Sequence, residues 1–158
     1  MKLTQQEANA LIEMIKKEVE KQQLKFPERR EKCVFDVIGE RKNDEFVVNI
    51  ERKGINYSSA TYQGRIKSNN VILMRLDINP TSKHRNPSDG EIIEGSHLHI
   101  YSEEWELKEA VPFDTENKDL YDLCYIFFEK FNIIESPAFI EQKTIQLMEN
   151  YHEHFRNA

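Results

Sequence analysis

No stretch of this 158-residue chain approaches the roughly 18–20 consecutive apolar residues that a membrane-spanning helix requires, so no membrane association is expected. The N-terminal run MKLTQQEANALIEMIKKEVEK becomes charged too early for a secretory signal, which points to a cytoplasmic protein. Cysteine is scarce. Cys33 and Cys124 stand alone without a C-x-x-C pair, which argues against a disulfide framework and for two buried thiols. Internal repeats and low-complexity linkers are also lacking, and the length suits one domain over residues 1–158. What remains is 39% hydrophobic and 32% charged, the composition of a chain that folds.

An excess of positive charge is missing too, and a net charge of −6 argues against non-specific DNA binding as the main task. The charge is unevenly spread. Residues 51–90 hold seven basic and three acidic side chains, whereas residues 91–158 hold five and fifteen. The middle segment suits an anion and the C-terminal third suits a basic protein surface, unless the two are simply solvated faces of opposite sign.

Thr4 and Glu7 form a capping box, and Ala8, Leu11, Ile12, Ile15 and Val19 recur at helical spacing, which predicts a helix over about residues 5–24. From Cys33 the period changes to two. Cys33, Phe35 and Val37, a polar turn at Arg41–Asp44, then Phe46, Val48 and Ile50 predict an antiparallel hairpin. Ile55 to Tyr62 predicts a third strand. Val71 to Ile78 predicts a fourth, with Ile72, Met74, Leu76 and Ile78 facing the core and Arg75 and Asp77 pointing away. A polar loop from Asn79 to Ser96 precedes a fifth strand, in which Leu98 and Ile100 face the core and His97, His99 and Tyr101 take the other side. Pro112 favours an edge for a further short extended piece. Leu120, Leu123, Cys124, Phe127, Phe128 and Phe131 form a helical stripe with Asn117 as N-cap. Ser136-Pro137 predicts the start of a last helix that buries Ile140, Thr144, Leu147, Met148, Tyr151 and Phe155. The expected fold is α+β: a mainly antiparallel sheet of five to six strands, an N-terminal helix and two C-terminal helices.

The chemistry concentrates between Val71 and Tyr101. An H-x-H pair on a strand puts His97 and His99 on one face, roughly 6.5–7 Å apart along the backbone, so both rings can meet one ion or one phosphate. Three readings follow. In the first, His84, His97, His99 and Asp77 bind a metal, most naturally zinc. In the second, Arg75, Asp77, His97, His99 and Tyr101 form a metal-free site for cleaving RNA, with histidines as acid and base, Arg75 on the phosphorane charge and Asp77 fixing a tautomer. In the third, Arg75 and Asp77 are an ion pair and the histidines are half-exposed strand residues. The 18-residue loop between the two strands is longer than a compact domain usually keeps without a functional reason, which weighs for a site.

The run Arg75-Leu-Asp77, His84-Arg-Asn-Pro87, Asp89-Gly90 and Gly95-Ser-His97-Leu-His99-Ile-Tyr101 resembles an uncharacterised family of small proteins of Gram-positive bacteria, their phages and mobile elements. The shared pattern is an R-x-D strand, an H-x-N-P-D-G loop and an H-L-H-I-Y strand, here with Ser88 interrupting N-P-D-G. The order of arginine, aspartate and histidine is also similar to ribonuclease-type toxins of toxin–antitoxin modules. Mobile-element membership implies a further role, a counter-defence protein of the anti-CRISPR type that binds a host protein and uses a metal to hold its own fold.

Overall fold

The computed structural model describes residues 2–54 and 57–140; the expected helical positions beyond Ile140, and Ile55 at the start of the expected third strand, lie outside them. The capping box forms as the sequence predicts. The Thr4 hydroxyl accepts the Glu7 N–H and the Glu7 carboxylate accepts the Thr4 N–H, each at 3.1 Å, and helix α1 (Gln5–Glu13) follows. Strands β1 (Lys16–Glu18), β2 (Gln23–Leu24), β3 (Lys32–Ile38), β4 (Glu45–Glu51), β5 (Ala60–Ile66) and β6 (Ile72–Ile78) come next. A small hairpin of β7 (Lys83–Arg85) and β8 (Ile92–Glu94) precedes β9 (His97–Ile100) and β10 (Val111–Pro112). Helix α2 (Leu120–Lys130), β11 (Ile133–Glu135) and β12 (Ala138–Phe139) complete the described chain.

The architecture is α+β, with a mixed sheet of eight strands in the order β10-β9-β6-β5-β4-β3-β1-β11 and two helices among the described residues. The sheet is wider than expected because Lys16–Glu18, read as helix, is extended as β1, and Ile133–Glu135, between the two expected C-terminal helices, adds β11 beside it. Helix α1 stops at Glu13 instead of residue 24, and β1 pairs antiparallel with β3 and parallel with β11. Ile15 and Val19, expected in a buried stripe, are therefore 48% and 52% exposed. Local periodicity lost to a tertiary arrangement centred on Lys16. Its ammonium donates to the carbonyls of Ile12 (3.0 Å), Met14 (2.9 Å) and Phe131 (2.9 Å), so one buried cation satisfies orphan carbonyls at the C-terminal ends of both helices.

Ser136-Pro137 likewise opens no helix at the next residues. Ala138–Phe139 runs parallel to β2, with the Ile140 N–H on the Leu24 carbonyl at 3.1 Å, and the Phe139 ring meets Phe26 and Tyr121 at 5.7 and 5.8 Å. The aromatic contacts favour the extended course over the capped start. The N-cap of α2 is Asp119, which accepts the Asp122 N–H at 2.8 Å, while Asn117 sits two residues earlier in a left-handed turn (φ 59°). The stripe on α2 packs as predicted. Phe128 meets Phe35, Phe131 meets Phe46 and Phe127 meets Tyr62, with ring centroids 5.7, 5.9 and 6.1 Å apart. Cys124 is buried and Cys33 half-buried, both free. No helix among the described residues is long and apolar enough to cross a membrane.

Candidate metal centre

One face of the sheet is covered by α2; the other carries polar side chains in register. Antiparallel pairing aligns Asn49 with Gln63, Gln63 with Arg75 and Arg75 with His99 across four neighbouring strands. A second row aligns Glu51, Thr61, Asp77 and His97 in the same way. Side chains directly opposite in an antiparallel pair come within contact range, so β6 and β9 bring Arg75, Asp77, His97 and His99 together. Leu76 and Leu98, paired on the opposite face, are buried in the core, which fixes this orientation.

The segment expected as a plain loop is organised by the β7–β8 hairpin, which brings His84 in from above. Gly90 at φ 74° allows its turn. Asn86, buried at 6%, donates from Nδ2 to the Ala110 carbonyl and accepts the Ala110 N–H on Oδ1, both at 2.9 Å. That two-bond clamp holds the hairpin against the segment ending at Ala110, in which the Leu107, Lys108 and Glu109 carbonyls face the imidazoles. The His99 Nδ1 lies 2.7 Å from the Leu107 carbonyl and 3.1 Å from that of Glu109; the His84 Nε2 lies 2.8 Å from that of Lys108. The His97 Nδ1 lies 2.9 Å from the Gly95 carbonyl.

A carbonyl oxygen only accepts, so each of those ring nitrogens carries the hydrogen. In neutral rings the lone pairs are then left on His97 Nε2, His99 Nε2 and His84 Nδ1. Metal-ligating histidines characteristically have this arrangement, with one nitrogen anchored by a hydrogen bond and the other presented to the ion. One ligand nitrogen from each of the three lies within 4.8 Å of the others, and the ring centroids are 4.9–5.2 Å apart. Tetrahedral zinc would draw the nitrogens to about 3.3 Å, given zinc–nitrogen bonds of about 2.0–2.1 Å.

Asp77 reaches two of the three rings. Its Oδ2 is 3.3 Å from His97 Nε2 and 3.4 Å from His99 Nε2, while its two oxygens accept from Arg75 Nε at 3.1 and 3.2 Å. Burial pushes the Asp77 carboxyl up, but His97 and His99, which donate hydrogen bonds to it when protonated, and the charge of Arg75 outweigh burial and hold the group well below the usual carboxylate range. The same Asp77 contact, against the opposing effect of burial, pushes His97 up. Two ring lone pairs and a carboxylate oxygen converge with no hydrogen to spare between neutral rings. A cation relieves that repulsion, either a proton on His97 or a metal ion. Arg75 Nη2 also donates to His99 Nε2 at 3.3 Å, so a metal taking that lone pair displaces the guanidinium.

Tyr101 is not part of this cluster. Strand β9 ends at Ile100, and Tyr101 is 3% exposed within the core, its hydroxyl accepting the Leu3 N–H at 2.9 Å, whereas Ile100, expected in the core row, is 43% exposed. The strand ends one residue sooner than alternation implies, and the N-terminal segment supplies the tyrosine's partner. Sequence reasoning missed Asn86, whose only signal was its place in His-Arg-Asn-Pro, and the polar row of Asn49, Thr61 and Gln63, whose alignment depends on strand register.

Residues 3–133 match the Family of unknown function (DUF6978). The chain belongs to that family. The match spans every residue of the site just described. No curated protein and no solved structure gave a match.

Proposed function

We propose that this chain is a metal-binding protein whose ion, zinc ahead of other first-row metals, is held by His84, His97 and His99 with Asp77 at its flank. The observation that supports the reading is that all three imidazoles are committed through one nitrogen to main-chain carbonyls, and that a nitrogen from each lies within 4.8 Å of the other two. His97 and His99 are almost fully buried and His84 only partly, so the shell has one exposed side. Three protein nitrogens with an accessible side is the donor set of zinc sites that bind or activate a further ligand. Elemental analysis of untagged protein should give close to one metal per chain, lost in a His97→Ala, His99→Ala double variant. Native protein that is metal-free and takes up no zinc on dialysis removes the reading.

A metal-free alternative draws on the raised His97 and its contact with Asp77, which suit a protonated imidazole acting as general acid in RNA cleavage beside Arg75. Growth arrest on expression, relieved by His99→Ala, supports it; harmless expression without RNA cleavage removes it. The wider role, a mobile-element protein that binds a host protein in counter-defence, is proposed on the resemblance and on the acidic balance of the chain. Its test is loss of a host's restriction of phage or plasmid when the chain is expressed.

A further inference from the structure

Arg75 borders two hollows, one lined in part by His97 and the other by His84 and His99. The first, about 540 Å³, lies over the polar rows and is walled by the amides of Asn49 and Gln63 and the hydroxyls of Thr61 and Ser82. Its charges are paired within the wall: Lys53 with Glu51 at 3.2 Å and Arg75 with Asp77 at 3.1 Å. The second, about 460 Å³, is walled by Arg75, Arg85 and Lys108 and has no carboxylate in its lining. Among the described residues, the Lys108 ammonium and Arg75 Nη1 make no hydrogen bond or ion pair, so both have donors free for an anion. One hollow is neutral and rich in paired donors and acceptors; the other is cationic, and a bound divalent ion beside it would add positive charge.

We propose that the two hollows together hold a nucleoside phosphate, the phosphate on Arg75, Arg85 and Lys108 and the base and sugar in the amide-lined hollow. Both volumes fall within the about 300–1,000 Å³ typical of small-molecule sites. Planar guanidinium groups match phosphate oxygens, and side-chain amides present the donor and acceptor pair that a base edge requires. The ligand could be a free mononucleotide or a residue of an RNA strand, which share this chemistry. The proposal deepens the metal-centre reading and uses that ion only as an added positive charge between the hollows.

Isothermal titration of zinc-loaded and chelator-treated protein, with metal content measured on the same samples, compares AMP, adenosine, inorganic phosphate and a short oligoribonucleotide. AMP or the oligonucleotide should bind, and their ratio identifies the natural source. An Arg85→Ala, Lys108→Ala double variant should weaken AMP by about tenfold or more while leaving adenosine unchanged. Gln63→Ala should weaken AMP and leave inorganic phosphate unaffected. These side chains are outside the core, and circular dichroism of the variants should match that of the native chain. Absence of AMP and oligonucleotide binding in both metal states overturns the proposal, as does AMP binding no tighter than inorganic phosphate. AMP or oligonucleotide binding by protein that takes up no zinc removes the metal centre and leaves the nucleotide site standing; zinc uptake with neither bound does the reverse.

Discussion

Gly64 supports the core face beneath the polar rows, and replacing it with alanine should be among the most damaging small changes to the chain. A Cβ built at this position would lie 2.6 Å from Cζ and 2.8 Å from Cδ2 of Phe131, where carbon atoms in contact normally stay about 3.5–4.0 Å apart. The overlap is about 1 Å, and the ring has little room to yield. Phe131 is fully buried, edge-on to Phe46 at 5.9 Å, stacked on Phe127 at 6.0 Å and capped by the Lys16 ammonium at 4.1 Å from its centroid. Overpacking at a site confined on several sides should cost about 3 kcal/mol, near the top of the usual range. With a urea m-value of about 2 kcal/mol/M, that lowers the unfolding midpoint by about 1.5 M. Phe131→Ala alone should cost about 3–5 kcal/mol through the cavity it leaves. In the double variant the collision is gone and the new methyl enters vacated space, so the combined loss should fall short of the sum by about 2 kcal/mol. A Gly64→Ala protein within about 0.5 kcal/mol of wild type, or strictly additive losses, would refute the packing argument.

Burial pushes Lys16 from 10.5 down to about 7, so between those values the unfolded chain holds a proton that the folded chain has released. Stability relative to a Lys16→Met variant should therefore rise with pH from about 7 to about 10.5, by at most about 5 kcal/mol; the three carbonyls favour the three-hydrogen ammonium and reduce the slope. Denaturation series at several pH values check the sign, and a gap that is flat or shrinks with pH contradicts it. Tyr101→Phe strands the buried Leu3 N–H and should cost about 1–3 kcal/mol in urea unfolding, yet leave metal content at the wild-type level. A loss of metal in that variant would return Tyr101 to the site.

Much of the site was legible because strand alternation is a local property. Apolar residues at Met74, Leu76 and Ile78 and at Leu98 force Arg75, Asp77, His97 and His99 to the opposite side whatever the rest of the chain does. The same reasoning placed Tyr101 with them and failed where β9 ended, since the end of a strand depends on which backbone groups find partners. Helical spacing in Ile15 and Val19 misled for a related reason. The strand slot beside β11, and the Phe131 carbonyl that accepts from the Lys16 ammonium 115 residues away, come from the far end of the described chain.

The sequence by itself determined the capping box of α1, the phenylalanine stripe of α2 and the R-x-D and H-x-H faces, because each rests on the spacing of residues within one element, and the uneven charge, which is composition alone. Tertiary structure alone decided that His84 joins the pair. Only a folded hairpin, clamped by Asn86 to the Ala110 backbone, brings it there. Tertiary structure also chose the nitrogen each imidazole presents, since the Leu107, Lys108 and Gly95 carbonyls that fix the tautomers are positioned by chain folding and carry no signature in the side-chain sequence.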